Sequence, residues 1–133
     1  MANEFLIVGV DPGRTIGVAY LERVSGHVNA ADYSDPIRCI RDLLLCESSG
    51  TVYVIERYYG GGLQSRDGEY TMHVAGYIQY RLLEDNRAVV MQSPQARKNK
   101  LPEAKTRLHL DKDRHKADAL AHALAYRSKQ ERR

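Results

Sequence analysis

Short hydrophobic runs broken by turn residues occupy the first quarter of the chain. The β-forming run at 4–10 predicts a buried strand that ends at Asp11, where Pro12-Gly13 breaks the pattern. The segments at 15–23 and 27–33 follow so closely that only hairpin connections fit between the strands. The pattern therefore predicts an antiparallel meander of three strands.

A helix and a returning strand are predicted next. Asp35-Pro36 is a typical helix start, and apolar residues continue at helical spacing toward Ser48-Ser49-Gly50. The strand at 51–55 is the second hydrophobic run that ends at an acid, Glu56. A parallel return beside the first strand would place Asp11 and Glu56 side by side at one edge of the sheet.

The pattern changes again after residue 66. Helical spacing predicts a helix over 67–84, and a short strand is predicted at 88–92. The side of this helix that is predicted to face the core carries Thr71, Ala75, Ile78 and Leu82. The segment at 93–111 is polar and lysine-rich, and no defined structure is predicted for it. Together these elements predict a single α/β domain over 1–133.

The last predicted helix carries an alanine-rich packing face and a stripe of titratable residues. The stripe, at offsets of four, seven and eleven, is Asp111, His115, Asp118 and His122. We interpret Asp111 and Asp113 as acids at the helix start, and His122 as a supporting residue or part of the core rim. A carboxylate on this face is costly without a partner, so a divalent cation is the natural candidate.

Charge is distributed unevenly along the chain. Residues 1–96 carry eight arginines, no lysine and twelve acids, whereas residues 97–133 carry twelve basic residues and five acids. A basic final quarter favours a polyanionic partner such as nucleic acid. Cys39 and Cys46 match no metal or redox spacing, which indicates reduced thiols. With no signal peptide and no long apolar run, we expect a cytoplasmic protein without a membrane partner.

Two acid-ended strands and a helix bearing acid and imidazole define a recognisable chemistry. Carboxylates gathered at one sheet edge can hold two divalent cations for in-line hydrolysis of a phosphodiester. Oxygen ligands suit Mg²⁺, and a histidine in the set makes Mn²⁺ acceptable as well. The structural alternatives are that Asp11 only forms a turn and that Glu56 only pairs with Arg57 or Arg14.

The sequence resembles the RuvC-type Holliday-junction resolvases of the RNase H-like superfamily, over nearly the whole chain. The resemblance is carried by Gly9-Val10-Asp11-Pro12-Gly13 with Thr15 and Gly17, by Val54-Ile55-Glu56, and by His115-Lys116-Ala117-Asp118-Ala119-Leu120-Ala121. It implies an RNase H-like fold with a five-stranded mixed sheet flanked by helices, a homodimer, and nicking of four-way or branched DNA with Mg²⁺ or Mn²⁺. Asp11, Glu56, His115 and Asp118 fall on the family's catalytic metal-ligand positions. Many members have aspartate where this chain has His115, and its length resembles that of the compact viral members.

A set of aromatic and basic residues is expected to contact DNA. Tyr59 occupies a position where the family carries an aromatic thought to stack at the opened junction. The full set is Arg14, Tyr58, Tyr59, Lys98, Lys100, Lys105, Arg107, Lys112 and Lys116. The alternatives are that both tyrosines pack in the core and that the basic residues only solubilise the surface. The tyrosines at 70, 77 and 80 suit either a dimer face or a DNA face.

Other functions remain open at this stage. Within the superfamily, an RNA-processing enzyme of the YqgF type or a ribonuclease H is the alternative, although the YqgF type lacks the strand acid found at Glu56. The Asp-Pro-Gly turn also resembles the phosphate loop of actin-like ATPases, which need two such domains. A junction-binding protein without turnover is the third alternative.

Overall fold

Five strands form the centre of the protein in the computed structural model, which describes residues 5–57, 66–112 and 114–132, without the side chains of residues 66 and 67. The strands are β1 Leu6–Asp11, β2 Ile16–Glu22, β3 Val28–Tyr33, β4 Thr51–Glu56 and β5 Ala88–Gln92. Each predicted strand is present, with ends that differ by at most two residues from the pattern.

The sheet has the order β3-β2-β1-β4-β5. The first three strands pair antiparallel, whereas β1, β4 and β5 run parallel to one another. This confirms the predicted mixed sheet. The register pairs Val10 with Ile55, so Asp11 and Glu56 are the next residues at the carboxyl ends of neighbouring strands. Glu56 pairs in turn with Gln92, the last residue of β5.

The helices are α1 Pro36–Leu43, α2 Arg66–Glu84, α3 Leu101–Arg107 and α4 His115–Glu131, with a 3₁₀ helix at Pro94–Lys100. The start of α1 is as predicted, since the Asp35 carboxylate accepts a hydrogen bond from the Ile37 amide at 3.0 Å. The 3₁₀ helix and α3 occupy the segment for which the sequence predicts no structure. Few apolar residues anchor them, chiefly Ala104, which is fully buried, and Leu101 and Leu108, which are partly buried.

The two faces of the sheet are covered differently. One face packs large side chains against α1 and α2, among them Tyr53, Ile78 and Leu82. On the other face α4 lies almost directly on the strands, through alanines at 119, 121 and 123. A Cβ on Gly9 would overlap the carbonyl oxygen of Ala119. The close approach of α4 to the sheet therefore depends on glycine in the strand and alanine in the helix.

The start of α4 differs from the interpretation of its acids. The helix begins at His115, and Arg114 is the N-cap without a side-chain hydrogen bond. Asp111 is exposed and lies before the helix, so it caps nothing there, and Asp113 lies outside the described residues. The i+4 spacing from Asp111 to His115 was a coincidence of sequence, because the chain turns before the helix starts.

Candidate metal centre

The carboxyl ends of β1, β4 and β5 bring three polar side chains to one edge of the sheet. Asp11 closes β1, Glu56 closes β4 and Gln92 closes β5. Asp11 is 6% exposed and Gln92 is 4% exposed. The strands are hydrophobic up to this edge, so the polar residues mark the place where the buried strands meet a ligand or another element.

The first turn of α4 supplies the other side of the centre. A Cβ on Gly17 of β2 would overlap the His115 carbonyl, so glycine at this position allows the helix to begin directly over the sheet. Ligand atoms of Asp11, His115 and Asp118 all lie within 4.8 Å of one another. Carboxylate oxygens and an imidazole nitrogen at this spacing can hold a divalent metal ion.

His115 is already oriented by Asp11. The Nδ1 of His115 lies 2.9 Å from Asp11 Oδ2, and the imidazole is about half exposed. This hydrogen bond is the main reason why the pKa of His115 is raised above its usual value. If Nδ1 keeps its proton for Asp11, Nε2 is the nitrogen that remains for a metal ion, an arrangement common among metal-binding histidines.

The electrostatics of the centre favour a cation. Burial raises the pKa of Asp118 to about 6, and the nearby Asp11 and Glu56 add to the increase. Burial also raises the pKa of Asp11, against the lowering effect of the His115 hydrogen bond. Carboxyl groups resist ionisation when they are buried beside one another. A divalent cation would remove this penalty, so the donor set fits a metal ion in both chemistry and charge.

Arg97 contacts two of these carboxylates, those of Glu56 and Asp118. Its Nε lies 3.3 Å from Glu56 Oε1 and 3.6 Å from Asp118 Oδ1. That nitrogen is buried, and it makes no hydrogen bond with any described residue. Arg97 thus lies next to Glu56 and Asp118, whereas the group whose ligand atoms lie within 4.8 Å of one another consists of Asp11, His115 and Asp118.

His122 also contacts Glu56. It is fully buried, one turn after Asp118, and its Nε2 lies 2.8 Å from Glu56 Oε1. Its other ring nitrogen, Nδ1, lies 2.8 Å from the amide nitrogen of Gln92. His122 therefore joins two strand ends through buried hydrogen bonds, which agrees with its interpretation as a supporting residue.

The residues predicted to contact DNA lie on several elements, and some of these elements also carry residues of the centre. Lys98 is exposed and Lys100 is partly exposed on the 3₁₀ helix that carries Arg97, and Lys116 is partly buried beside His115. Lys112 is exposed before α4, and Lys105 is partly buried on α3. These positions leave the lysines near the centre as candidates for phosphate contacts.

Two arginines of the predicted DNA set have partners within the protein. Arg107 forms an ion pair with Glu103 at 2.9 Å and donates to the Gly26 carbonyl at 3.1 Å. It thereby ties α3 to the β2–β3 turn. Arg14 is exposed after Asp11 and lies over the Tyr70 ring, 5.0 Å from its centroid. Tyr58 and Tyr59 lie outside the described residues.

Sequence reasoning did not single out Gln92 or Arg97. Gln92 had a usable signal, because it ends a hydrophobic strand at the same edge as Asp11 and Glu56. Arg97 had none, since it is one of twelve basic residues in the final quarter. Only the tertiary placement of the 3₁₀ helix separates it from its neighbours.

Comparison with known proteins defines the fold class as RuvC-like within the RNase H-like architecture. No protein-family model matches the sequence, and no curated protein matches it. Among solved structures, the chain is similar to T. thermophilus RuvC in complex with a Holliday junction substrate. The TM-score is 0.68 at 17% sequence identity, with 96% of each chain covered. At this identity the likeness establishes the fold alone.

One further feature concerns membranes. Across the part of the chain that is described, no helix is both long enough and apolar enough to span a bilayer.

Proposed function

We propose that the protein is a structure-selective endodeoxyribonuclease that resolves four-way or branched DNA junctions by metal-dependent hydrolysis. The observation that carries the proposal is the group formed by Asp11, His115 and Asp118 at the carboxyl edge of a RuvC-like sheet. The similar T. thermophilus structure is a complex with a Holliday junction substrate, which supports the choice of substrate.

Asp11, His115 and Asp118 are proposed to hold one divalent ion, Mg²⁺ or Mn²⁺. A second ion would be held by Glu56 and Asp118, the two carboxylates that now contact Arg97. Bound ions of this kind activate the attacking water and offset the charge on the leaving oxygen. The four residues are thus proposed as the catalytic set, with the chain supplying ligands and no nucleophile of its own.

The surrounding residues are proposed to position the substrate. The lysines on the 3₁₀ helix and at the start of α4, together with Arg14, would bind backbone phosphates near the scissile bond. The basic residues of α3 would contact DNA farther from that bond, because Arg107 is held at the β2–β3 turn, at the opposite end of β1 from Asp11. Tyr58 and Tyr59 would stack on bases at the opened junction.

A homodimer is part of the proposal. Resolution of a junction requires cuts in two opposed strands, and isologous pairing supplies two equivalent centres. The exposed face of α2 carries Met72, Tyr80 and Leu83, which are 41%, 63% and 50% exposed. Such an apolar face suits a subunit contact.

The proposal is tested with an end-labelled four-way DNA junction beside linear duplex, a flap and an RNA–DNA hybrid, each with Mg²⁺, Mn²⁺ or chelator. We expect paired nicks confined to the junction that require metal. Asp118→Asn should abolish cleavage, and Glu47→Gln, a change to an exposed acid, should leave it intact. Preferential cleavage of the hybrid or flap would overturn the substrate assignment. Binding without cleavage in both metals would overturn the enzyme assignment.

A further inference from the structure

A buried chain of hydrogen bonds runs from β5 through α4 to Glu56. Gln92 and His122 are 4% and 0% exposed. The amide nitrogen of Gln92 lies 3.1 Å from the His122 carbonyl oxygen and 2.8 Å from His122 Nδ1. On the far side of the ring, Nε2 lies 2.8 Å from Glu56 Oε1. Neither Gln92 nor His122 belongs to the proposed catalytic set.

The geometry determines which ring nitrogen carries the proton. The His122 carbonyl can only accept, so the Gln92 atom that faces it must be the amide nitrogen. That nitrogen has a second hydrogen, which points to Nδ1 and makes Nδ1 an acceptor. The proton of the neutral ring is therefore on Nε2, where it donates to the Glu56 carboxylate. Each group in the chain has a partner of the correct type, which is the usual condition for buried polar groups.

The hydrogen bond to His122 restricts Glu56. A glutamate side chain has three rotatable bonds, and the carboxylate plane is normally free to turn about the last of them. Because His122 holds Oε1, and both oxygens belong to one rigid plane, the direction of Oε2 is determined as well.

We propose that Gln92 and His122 are positioning residues that hold the Glu56 carboxylate in one orientation for metal binding, with Gln92 setting the tautomer of His122. The inference rests on the proposed role of Glu56 as a metal ligand. Histidines and carboxylates that support ligands in this way commonly contribute 10- to 100-fold to metal affinity, as an order of magnitude.

The first test is the tautomer of His122 in the intact metal-free protein, measured from ¹⁵N shifts in a long-range ¹H–¹⁵N spectrum. We expect the Nε2–H form with an acceptor at Nδ1. In Gln92→Leu, where the donor is lost, we expect the Nδ1 shift to move. A native ring that carries its proton on Nδ1 would overturn the inference. This measurement needs no metal and no nuclease activity.

The second test is Mn²⁺ affinity by calorimetry. Gln can place an amide N–H near the position of His Nε2, whereas Leu cannot. We therefore expect His122→Leu to weaken Mn²⁺ binding by about 10- to 100-fold, and His122→Gln to recover much of the loss. His27→Leu, at an exposed histidine, is the control and should bind as the native protein does. Equal Mn²⁺ affinity in folded His122→Leu and native protein would overturn the inference.

The two proposals can fail separately. If junctions are not cut but Mn²⁺ binding still falls in His122→Leu and recovers in His122→Gln, the positioning role stands and the proposed function fails. If junctions are cut and both variants bind Mn²⁺ as tightly as the native protein does, the proposed function stands and the positioning role fails.

Discussion

Arg87 lies at the amino end of the parallel strand β5 and its side chain is buried. Arg97 follows the carboxyl end of β5, and its side chain is partly buried. The guanidinium of Arg87 donates four hydrogen bonds at 2.6–2.9 Å, to Asp85, to the carbonyls of Leu44 and Cys46, and to the Tyr53 hydroxyl. Arg97 Nε, in contrast, is buried without a hydrogen bond among the described residues, beside two carboxylates.

The difference separates a structural network from a candidate site. Around Arg87 the donors and acceptors match, and one arginine faces one carboxylate, so nothing further is required there. Around Arg97 the carboxylates of Asp11, Glu56 and Asp118 outnumber the arginine, and the pKa of Asp118 is raised to about 6. An excess of buried carboxylate is stable only with protons or with another cation.

The largest expected effect comes from removing one carboxylate of the excess. Asp118→Asn should reduce Mg²⁺-dependent nicking by more than about 100-fold, because a proposed ligand shared by both ions is lost. The same change should stabilise the metal-free protein by about 1 to 3 kcal/mol at neutral pH, since a disfavoured charge is removed. Cleavage assays and chemical denaturation measure the two effects. A less stable, still active variant would contradict the account.

Removing the hydrogen bonds of Arg87 should lower the stability of the protein and leave metal binding unchanged. Arg87→Met leaves two carbonyls and the Tyr53 hydroxyl without their donor, so we expect a loss of about 2 to 5 kcal/mol in the free energy of unfolding. Urea denaturation measures the loss, with Arg81→Met on the more exposed surface of α2 as the control. Mn²⁺ affinity of the folded variant should be unchanged. If the free energy of Mn²⁺ binding fell by as much as the free energy of unfolding, the two ends of the sheet would not be independent.

Removing the cation from the other end should improve metal binding. Arg97→Gln keeps a polar side chain but removes a positive charge about 3.3 to 3.6 Å from two carboxylates. We expect roughly tenfold tighter Mn²⁺ binding, since the ion no longer competes with the guanidinium. Calorimetry of native protein and variant tests this. Unchanged or weaker binding would show that Arg97 does not occupy a metal position.

The smallest effect is a dependence on pH. The pKa of Asp118 is raised from 3.8 to about 6, and that of His115 is raised above 6.5. Both groups hold protons more tightly in the folded protein, so their contribution to stability is lost as the pH rises through these values. Metal-free protein should therefore be less stable at neutral than at mildly acidic pH. Mn²⁺ affinity should rise over the same range, measured by calorimetry, and the rise should be shallower in Asp118→Asn.

The strands of the sheet could be predicted from the sequence because each strand is a local hydrophobic run bounded by turn residues. The parallel register that brings Asp11 beside Glu56 follows from the crossover through α1. The start of α1 was predictable from Asp35-Pro36, the N-cap and the proline of its first turn. The close approach of α4 to the sheet was also predictable in part, since its alanines indicate tight packing. The matching glycines, Gly9 and Gly17, belong to the motif that carries the resemblance.

The remainder depends on tertiary contacts that have no local pattern. The 3₁₀ helix and α3 are polar along most of their length and are held by a few apolar residues such as Ala104. Arg97 reaches the carboxylates only because that segment packs against α4. The bond between His122 and Gln92 joins residues 30 positions apart, and only the assembled edge of the sheet brings them together.

The most direct test of the central claim is a crystal structure of the protein grown with Mn²⁺, examined for anomalous scattering from the metal. We expect a peak within coordination distance of Asp11, His115 and Asp118, with Arg97 displaced if a second peak lies beside Glu56. A map without a peak at this edge at saturating Mn²⁺, with Arg97 still paired to Glu56 and Asp118, would contradict the claim that these carboxylates form a metal centre.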